Sequence, residues 1–340
     1  MKTTLQQLSQ KLATEEAVDF VKSEFEKHLK ERLSLVKISA PTVVLHGTGI
    51  NDDLNGIERP VGFPIKAMQE RRAEVVQSLA KWKRLRLREY ELESGMGIVT
   101  DMKALRPDEE LGPIHSISVD QWDWEKVMLP EERHLEFLKT QVRSIYSSIL
   151  ATQAAITKKY PLLSLDLPEE ISFLHTEDLL QKYPHLSPKQ REDRAAKEFG
   201  AVFLIGIGGI LESGEPHDGR APDYDDWSTP TSAATKGLNG DILVWNPVLE
   251  QAFELSSMGI RVDKKTLELQ LQERKAEDRK SLYYHEQLLK EELPQTIGGG
   301  IGQSRLCMFL LQKKHIGEVQ ASIWPEEMRE ELKSEGVFLL

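Results

Sequence analysis

Pro294-Gln-Thr-Ile-Gly298-Gly-Gly-Ile-Gly302-Gln-Ser-Arg305-Leu306 is the stretch that decides the fold, because four glycines in five positions run directly into a helical pattern. Consecutive glycines allow backbone angles closed to other residues and let the backbone approach a planar ligand closely. Leu306, Phe309 and Leu310 have helical spacing, which predicts that a strand leads into a helix. Backbone N–H groups and Arg305 would then lie beside a phosphate-bearing nucleotide. On the glycines alone, a tight turn with a helix cap is an equal alternative.

The composition is that of a globular protein. The 340 residues are 39% hydrophobic and 29% charged, a balance typical of globular chains. No Pro/Gly/Ser-rich linker, internal repeat or low-complexity tract divides the sequence, so residues 1–340 are predicted to form one domain.

Composition also excludes several classes of function and location. The longest apolar run, Ala201 to Leu211, is far shorter than the roughly 18 residues that span a bilayer, and the start of the chain lacks a signal peptide. A cytoplasmic location without a membrane partner is therefore expected. Cys307 is the only cysteine, which excludes an internal disulfide and a thiolate metal cluster. A net charge of -11 argues against nucleic acid as the main partner, since phosphate binding relies on Lys and Arg.

Hydrophobic spacing predicts an α+β fold in which long helices flank an antiparallel sheet. Thr14 could cap an amphipathic helix over 14–33. Pro41 places the β-rich stretch 35–45 at an edge or an interface, because proline lacks the N–H for a central ladder. An antiparallel hairpin is predicted over 97–105 and 115–124. Further helices are predicted over 78–87, 131–159, 263–275 and 280–291, with two more within 177–198, and further strands over 73–77, 171–174, 241–245, 252–257 and 319–324.

The helix predicted over 78–87 has a basic face formed by Lys81, Lys83, Arg84 and Arg88. A run of this kind is usually solvated surface, and that is the expectation here. The alternative is that one lysine turns inward to hold a carboxylate.

Polar side chains interrupt strands that are otherwise apolar. Alternation puts Gln121 and Asp123 on the same face as Val119, which suits a pocket floor. Asp241 opens one later strand and Glu254 interrupts another. If both carboxylates face one cavity, they could hold Mg²⁺ together with phosphate oxygens; otherwise they are strand-end polar residues.

Two stretches that resemble known motifs do not satisfy them. The segment 51–56 begins like a calcium loop, but Gly62 stands where the twelfth-position glutamate is needed, so Asp52 is a polar loop residue or part of a plain turn. A dinucleotide fingerprint is suggested over 201–209, but Leu211 replaces the third small residue and a loop follows. That loop leads to Arg220 and an acidic cluster, which is either a surface turn or a site that separates a substrate amine from a polyphosphate.

With these residues in hand, the chain resembles the catalytic domain of class II aminoacyl-tRNA synthetases. Residues 38–41 look like the first motif of that group, at the dimer interface, residues 105–109 like the second and residues 298–305 like the third. A closer resemblance is to one family of the superfamily, the ammonia-dependent asparagine synthetases or aspartate–ammonia ligases. Long strings spread over nearly the whole chain carry it: Ser78-Leu-Ala-Lys-Trp-Lys83, Met102-Lys-Ala-Leu-Arg-Pro-Asp-Glu109, Val119-Asp-Gln-Trp-Asp-Trp-Glu125, Arg220-Ala-Pro-Asp-Tyr-Asp-Asp-Trp-Ser228, Leu238-Asn-Gly-Asp-Ile-Leu-Val-Trp-Asn246 and 294–306.

The resemblance implies a single class II synthetase-like catalytic domain that forms a homodimer through the N-terminal helix and the Pro41 strand. It also implies an enzyme that uses ATP and Mg²⁺ to convert L-aspartate to a β-aspartyl adenylate with release of pyrophosphate. Ammonia would then displace AMP to give L-asparagine. Because adenylation concentrates negative charge at phosphorus, positioned cations should stabilise it.

The resemblance further implies which residues build the site, although several carboxylates could exchange roles. The residues with implied catalytic roles are Asp52, Arg106 and Gln121, with Asp52 and Gln121 at the β-carboxyl end, where an acidic group could dock ammonium and accept its proton. The implied substrate-binding residues are Lys83 for a carboxylate, Asp123 and Asp225 for the α-ammonium, and Ser78, Ser116, Ser256 and Ser257 as hydrogen-bonding groups. The implied nucleotide-binding residues are Arg106, Ile114, Val119, Arg220, Asp241, Glu254, Gly300, Gly302 and Arg305, with Mg²⁺ on Asp241 and Glu254, pyrophosphate on Arg220 and adenine on the glycines.

The nitrogen source can be argued from the cysteine count. A glutaminase needs an activated nucleophile, typically cysteine, and Cys307 lies inside the helix after Arg305. Free ammonia is therefore the expected donor. Compared with the family, the loop 46–51 looks longer and the loop 110–113 shorter, which bears on substrate affinity and not on the chemistry.

Two other functions fit the same fold. One is a synthetase-derived binding module without turnover, against which every charged residue that the chemistry needs is present. The other is a tRNA-charging enzyme, against which the catalytic pattern occupies almost the whole acidic chain.

Overall fold

The structure is a computed structural model that describes residues 5–52, 54 and 58–340, with side chains from residue 9 onward. Its helices are α1 Leu5–Leu33, α2 Ala80–Glu89, α3 Leu135–Lys159, α4 Thr176–Lys182, α5 Pro188–Phe199, α6 Lys264–Glu273, α7 Tyr283–Leu289, α8 Gln303–Leu310 and α9 Glu326–Ser334. Its strands are β1 Leu35–Lys37, β2 Val43–Leu45, β3 Gly62–Ile65, β4 Arg71–Val75, β5 Gly97–Leu105, β6 Ser118–Val127, β7 Ser172–His175, β8 Ala201–Ile205, β9 Asn239–Asn246, β10 Gln251–Ile260 and β11 Thr296–Gly302. Short 3-10 helices lie at Lys66–Met68, Pro130–Glu132, Glu277–Ser281 and Ile316–Glu318.

The strands form a large and a small sheet. The large sheet has the order β1-β5-β6-β11-β10-β9-β8-β7, and the small sheet has the order β2-β4-β3. The edge pairs β1–β5 and β7–β8 of the large sheet are parallel, whereas its inner pairs are antiparallel. Because α1, α3 and α8 bury their apolar sides in the same core as the large sheet, the predicted α+β class is confirmed.

Alternation along β6 decides which face of the large sheet is available for chemistry. Trp122 and Trp124 are almost fully buried in the core shared with the helices. The ring of Trp122 lies 4.6 Å from that of Phe25 in α1, measured between centroids. Since successive side chains point to opposite faces, Gln121 and Asp123 point away from these helices.

The glycine stretch is itself a strand and not a turn. β11 pairs with β6, with Gly300 opposite Asp123 and Gly298 opposite Glu125. Within β11, which the structure describes in full, no glycine takes a positive φ. The expectation of unusual backbone angles is therefore wrong. A Cβ on Gly298 would collide with the Glu125 carboxylate and one on Gly300 with the Gln121 amide, so the glycines make room for polar side chains of β6.

Three local predictions are wrong. Thr14 lies inside α1, where its hydroxyl donates to the carbonyl four residues earlier at 3.1 Å. The stretch 35–45 is not one strand, because Pro41 lies between β1 and β2, but the predicted edge position is confirmed for both strands. Residues 319–324 form no strand and follow the 3-10 helix Ile316–Glu318. The apolar residues that suggested a strand, Val319 and Trp324, are buried in the core.

The structure tests one of the two motif rejections. β8 is followed by a loop and by the antiparallel β9, so the rejection of a dinucleotide-binding unit is confirmed. The stretch that begins like a calcium loop lies partly outside the described residues, which lack positions 53 and 55–57. Among the helices described, none has the length and apolar character needed to cross a membrane.

Candidate active site

A cavity of about 380 Å³ opens on the polar face of the large sheet. β6, β10 and β11 contribute to its lining, as do the loops that carry Asp52 and Arg220 and the start of α8. The sequence-predicted residues in this lining are Asp52, Ser78, Arg106, Ile114, Ser116, Val119, Gln121, Asp123, Arg220, Asp225, Glu254, Ser257, Gly300, Gly302 and Arg305. The fold therefore brings together residues that are widely separated in sequence.

Three predicted site residues, Lys83, Ser256 and Asp241, lie outside the lining. Lys83 is fully buried beneath the floor. Ser256 is 1% exposed, and its hydroxyl has no hydrogen-bond partner among the described residues. Asp241 lies behind Arg220, with the Asp241 Oδ1 atom 2.6 Å from Arg220 Nη2. Lys83 and Ser256 can therefore act on a ligand only through their neighbours in this arrangement.

The basic helix α2 is largely buried. Lys81, Lys83 and Arg84 are each at most 2% exposed, so the expectation of a solvated basic face is wrong for them. The ammonium of Lys83 forms an ion pair with Asp123 and donates to a backbone carbonyl of β6 at 2.7 Å. The alternative, an inward lysine that holds a carboxylate, is confirmed. Burial lowers the pKa of Lys83, while Asp123 and Glu125 oppose this change.

A buried ion pair between Arg261 and Glu125 supports the floor, and sequence reasoning missed it. Arg261 Nε lies 3.0 and 3.1 Å from the two carboxylate oxygens of Glu125, and Nη2 lies 2.7 Å from one of them. Thr296 donates to the same carboxylate at 2.7 Å. Burial favours a higher pKa for Glu125, but the charges of Arg261 and Lys83 outweigh it and hold the pKa below its usual range. Arg261 also lines the cavity and pairs with Asp225.

Carboxylates dominate the part of the cavity near this ion pair. Asp123 is held by the buried lysine beneath it, and Asp225 by Arg261. Burial raises the pKa of Asp225, and Arg261 and Arg220 oppose the rise. Burial, followed by the negative charge of Asp52, raises the pKa of Tyr224 well above its usual range. This group of anions suits a ligand that carries an ammonium group.

Arginines dominate another part of the cavity. Arg305 Nη1 lies 3.5 Å from Glu254 Oε2, and Arg106 and Arg220 also line the wall. The recessed position of Glu254 opposes ionisation, but Arg305, Arg220 and Arg106 lower its pKa. Burial raises the pKa of Asp241 to about 7. The charge of Arg220 opposes this rise, and the charge of Glu254 adds to it. Guanidinium groups in this number suit phosphate oxygens, which they can bind through two parallel hydrogen bonds.

The negative charge of Glu254 contributes to the raised pKa of Asp241. A divalent ion between them would relieve the repulsion that contributes to the raised pKa of Asp241. Within the described part of the chain, no group of three or more His, Cys, Asp or Glu side chains could hold a metal ion. Asp241 and Glu254 could hold Mg²⁺ only if phosphate oxygens and water completed its coordination.

The predicted serines have different partners. The hydroxyl of Ser116 donates to that of Ser322 at 2.8 Å, which ties the C-terminal segment to the cavity wall. Ser257 accepts a hydrogen bond from Arg220. Ser78 accepts one from the backbone N–H of Ala80, at the start of α2, at 3.2 Å.

The cavity also contains residues that the sequence analysis did not select, including Glu109, His115, Asp218, Tyr224 and Arg261. Tyr224 stands between the two aspartates of the acidic cluster, so the cluster itself was a signal for it. Arg261 follows an apolar strand that already carries Glu254, and a second charge at a strand end could have been noticed. For His115, whose pKa burial and Arg305 lower, no signal in the sequence is evident.

Comparison with known proteins assigns the family. A family model described as aspartate-ammonia ligase matches residues 12–336. An aspartate–ammonia ligase of Parabacteroides distasonis is 57% identical over 327 residues, which cover 96% of this chain and 95% of that protein. One from Clostridium perfringens is 54% identical with the same coverage of both chains.

Solved structures show the fold. Asparaginyl-tRNA synthetase from Pyrococcus horikoshii, complexed with asparaginyl-adenylate, matches with a TM-score of 0.67 at 15% identity. The match covers 92% of this chain and 70% of the synthetase chain. A putative aspartyl-tRNA synthetase from Leishmania major matches with a TM-score of 0.60 at 12% identity, with coverage of 91% and 64%. The fold is therefore that of class II aminoacyl-tRNA synthetases. The family model and the relatives over 50% identical place this chain in the aspartate–ammonia ligase family.

Proposed function

We propose that the protein converts L-aspartate and ammonia to L-asparagine through a β-aspartyl adenylate, with release of AMP and pyrophosphate. The observation that carries this proposal is a family match over residues 12–336. The cavity supports it because it combines a group of arginines with a group of carboxylates. The first suits the phosphates of ATP, and the second suits the α-ammonium of aspartate and an ammonium ion.

In the first step, a β-carboxylate oxygen of aspartate attacks the α-phosphorus of ATP and pyrophosphate leaves. Arg106 and Arg305 offset the charge that develops on phosphorus, and Arg220 holds the departing pyrophosphate. The adenine ring is assigned to the part of the cavity lined by the β11 backbone at Gly300 and Gly302. When bound at Asp241 and Glu254, Mg²⁺ would supply further charge neutralisation on the phosphate oxygens.

In the second step, ammonia attacks the activated carbonyl carbon, AMP leaves, and the nitrogen loses a proton. We assign Asp52 to docking ammonium and accepting its proton, with Gln121 beside it at the β-carboxyl end. Asp123 and Asp225 bind the α-ammonium. In this scheme Lys83 acts by holding Asp123, because its ammonium lies beneath the floor.

The proposed reaction is tested by incubating the protein with L-aspartate, MgATP and ammonium. Equal amounts of asparagine, AMP and pyrophosphate are expected, and ¹⁸O from the β-carboxylate of aspartate should appear in AMP. ADP as the nucleotide product would rule out the adenylate. Parallel reactions with glutamine and with tRNA test the other nitrogen donor and the tRNA-charging alternative. Binding of aspartate without any turnover would favour a binding module.

We further propose a single catalytic domain over residues 1–340, a cytoplasmic location and a homodimer. The first and last strands of the chain, β1 and β11, belong to the same large sheet, which supports one domain. β1 is an edge strand, and Val36 within it is 50% exposed, which supports an interface beside α1. Light scattering of the protein and of Val36→Glu tests the dimer: a wild-type monomer would exclude it.

A further inference from the structure

A buried cluster around Asp223 lies outside the cavity lining and has no role in the steps above. Asp223 Oδ2 lies 3.1 Å from Lys81 Nζ, 3.2 Å from Arg279 Nη1 and 2.9 Å from His285 Nε2. Asp223 is 1% exposed and His285 is fully buried. Burial opposes ionisation of Asp223, but Lys81, His285 and Arg279 lower its pKa, so the carboxylate is a buried anion with three donors.

Each donor belongs to a different element. Lys81 lies in α2, two residues before the lysine that holds Asp123. Arg279 lies in the 3-10 helix Glu277–Ser281, and His285 lies in α7. One carboxylate therefore joins three elements, of which α2 contributes Ala80 to the cavity lining, and its own segment continues directly into Tyr224 and Asp225 of that lining.

The cluster also contacts the loop that carries Asp52. The backbone N–H of Tyr284 in α7 donates to the Thr48 carbonyl at 3.1 Å. The ring of His285 lies against Gly49, where an added Cβ would be 2.8 Å from Nδ1. The position of α7 thus limits the position of this loop, and Asp52 at its end lines the cavity.

We propose that Asp223 and His285 are positioning residues that set the relative positions of Asp52, Asp123 and Asp225. Neither residue lines the cavity. They act through α2, whose Lys83 holds Asp123, and through the two segments that carry Asp52 and Asp225. The inference rests on the proposed function, since it concerns the binding of aspartate and ammonium in that reaction. The cluster is thereby expected to affect the part of the cavity that binds aspartate and ammonium, and not the part that binds the nucleotide.

The test compares His285→Phe, which removes the donor to Asp223, with His285→Gln, which keeps an N–H. His285→Phe should raise the KM for aspartate and for ammonium by about tenfold or more, since a shift of about 1 Å in a bound group can cost about 100-fold. The KM for ATP should stay within about twofold. His285→Gln should recover most of the loss. Asp223→Asn should show the same selectivity.

Two further measurements separate positioning from a loss of folded protein. Asp226→Asn is the matched control, because Asp226 lies in the same segment, is fully buried and pairs with Arg133 instead of the cluster. This variant should lower the melting temperature without a selective rise in the KM for aspartate. Equilibrium dialysis of L-aspartate and of ATP measures binding without turnover, and only aspartate binding should weaken in His285→Phe.

The outcomes also separate this inference from the proposed function. If the wild-type protein forms no asparagine, the proposed function fails. If the wild-type protein is active and His285→Phe keeps its affinity for aspartate, or loses affinity for ATP and aspartate equally, the positioning role is refuted. Should Asp223→Asn fail to fold, the pair of His285 variants decides the question.

Discussion

Replacement of Glu125 by glutamine tests whether the buried ion pair beneath the cavity is required for the binding of aspartate. The change keeps the size of the side chain but removes the charge that Arg261 meets through three N–O contacts of 2.7 to 3.1 Å. Both residues are at most 3% exposed, so water cannot replace the lost partner. Arg261 would keep Asp225 as its remaining anion.

The expected loss of stability follows from this geometry. Breaking a buried ion pair by removing one partner typically costs about 3–5 kcal/mol. Because Asp225 still compensates part of the charge of Arg261, the lower value of about 3 kcal/mol is expected for Glu125→Gln. For a chain of this length, that corresponds to a fall of roughly 4 °C in melting temperature.

The pH dependence has a definite sign. The pKa of Glu125 is lowered in the folded protein, so its ionised form contributes stability above the unfolded-state pKa of about 4.3. That contribution is lost as the pH falls through the lower, folded-state pKa. The difference in unfolding free energy between wild type and Glu125→Gln should therefore be full at pH 7 and shrink progressively below about pH 4.3.

The assay is urea unfolding at several pH values together with steady-state kinetics. Glu125→Gln should raise the KM for aspartate, since Arg261 would lose the partner that fixes its own position beside Asp225. Glu177→Gln is a matched control, because Glu177 is also a buried carboxylate but accepts from a backbone N–H in a different part of the protein. If Glu125→Gln lowers the unfolding free energy by less than about 1 kcal/mol and leaves the KM for aspartate unchanged, the Arg261–Glu125 pair supports neither stability nor binding.

Three further predictions concern the glycine strand and the helix after it. Gly300→Ala should lower the rate of asparagine formation by about tenfold or more, because its Cβ would displace the Gln121 amide. Gly302→Ala should have a milder effect, because its Cβ would lie 3.2 Å from Arg305 Cβ. Equal rates in the two variants would refute the steric argument. Arg305→Ala should abolish aspartate-dependent exchange between pyrophosphate and ATP, and exchange at the wild-type rate would remove Arg305 from the nucleotide site. Cys307→Ser should retain ammonia-dependent synthesis, and iodoacetamide should not inactivate the wild-type enzyme, because burial raises the pKa of Cys307 and excludes reagent; rapid inactivation would contradict this.

The sequence predicted the order of strands and helices well where side-chain alternation is regular. The predicted hairpin over 97–105 and 115–124 corresponds to β5 and β6, and the predicted strands over 241–245 and 252–257 correspond to β9 and β10. Polar residues inside apolar strands are costly unless they serve a site, and three such residues, Gln121, Asp123 and Glu254, do line the cavity. Most other members of the lining were implied only by the family resemblance. The spacing of residues along the sequence does not predict which distant residue pairs with a given buried charge. Arg261 and Glu125 are 136 positions apart, and no local pattern relates them.

The wrong prediction for α2 shows why that limit matters for the chemistry. A helix with several lysines and arginines is expected at the surface, since a buried cation without a partner costs several kcal/mol. Here the partners are carboxylates on another element: Lys83 is offset by Asp123, and Lys81 by Asp223. The sequence contains both halves of each pair but not their distance.

The same pairing gives a physical reason for the position of the active site. A carboxylate that is to bind an ammonium group must stay ionised and fixed before the ligand arrives, although burial favours its neutral form. Asp123 is supported from below by a fully buried lysine, and Asp225 by an arginine whose other contacts are made to Glu125. Lys83 lies beneath the surface that the substrate would touch, so it can fix the charge of Asp123 without occupying the binding space, whereas Arg261 fixes Asp225 from within the lining. The glycines of β11 complete this arrangement, because side chains at Gly298 and Gly300 would fill the space that Glu125, Arg261 and Gln121 occupy. The glycine stretch is therefore required by the charged network of β6 as much as by a nucleotide, and substitutions there should disturb aspartate binding as well as ATP binding.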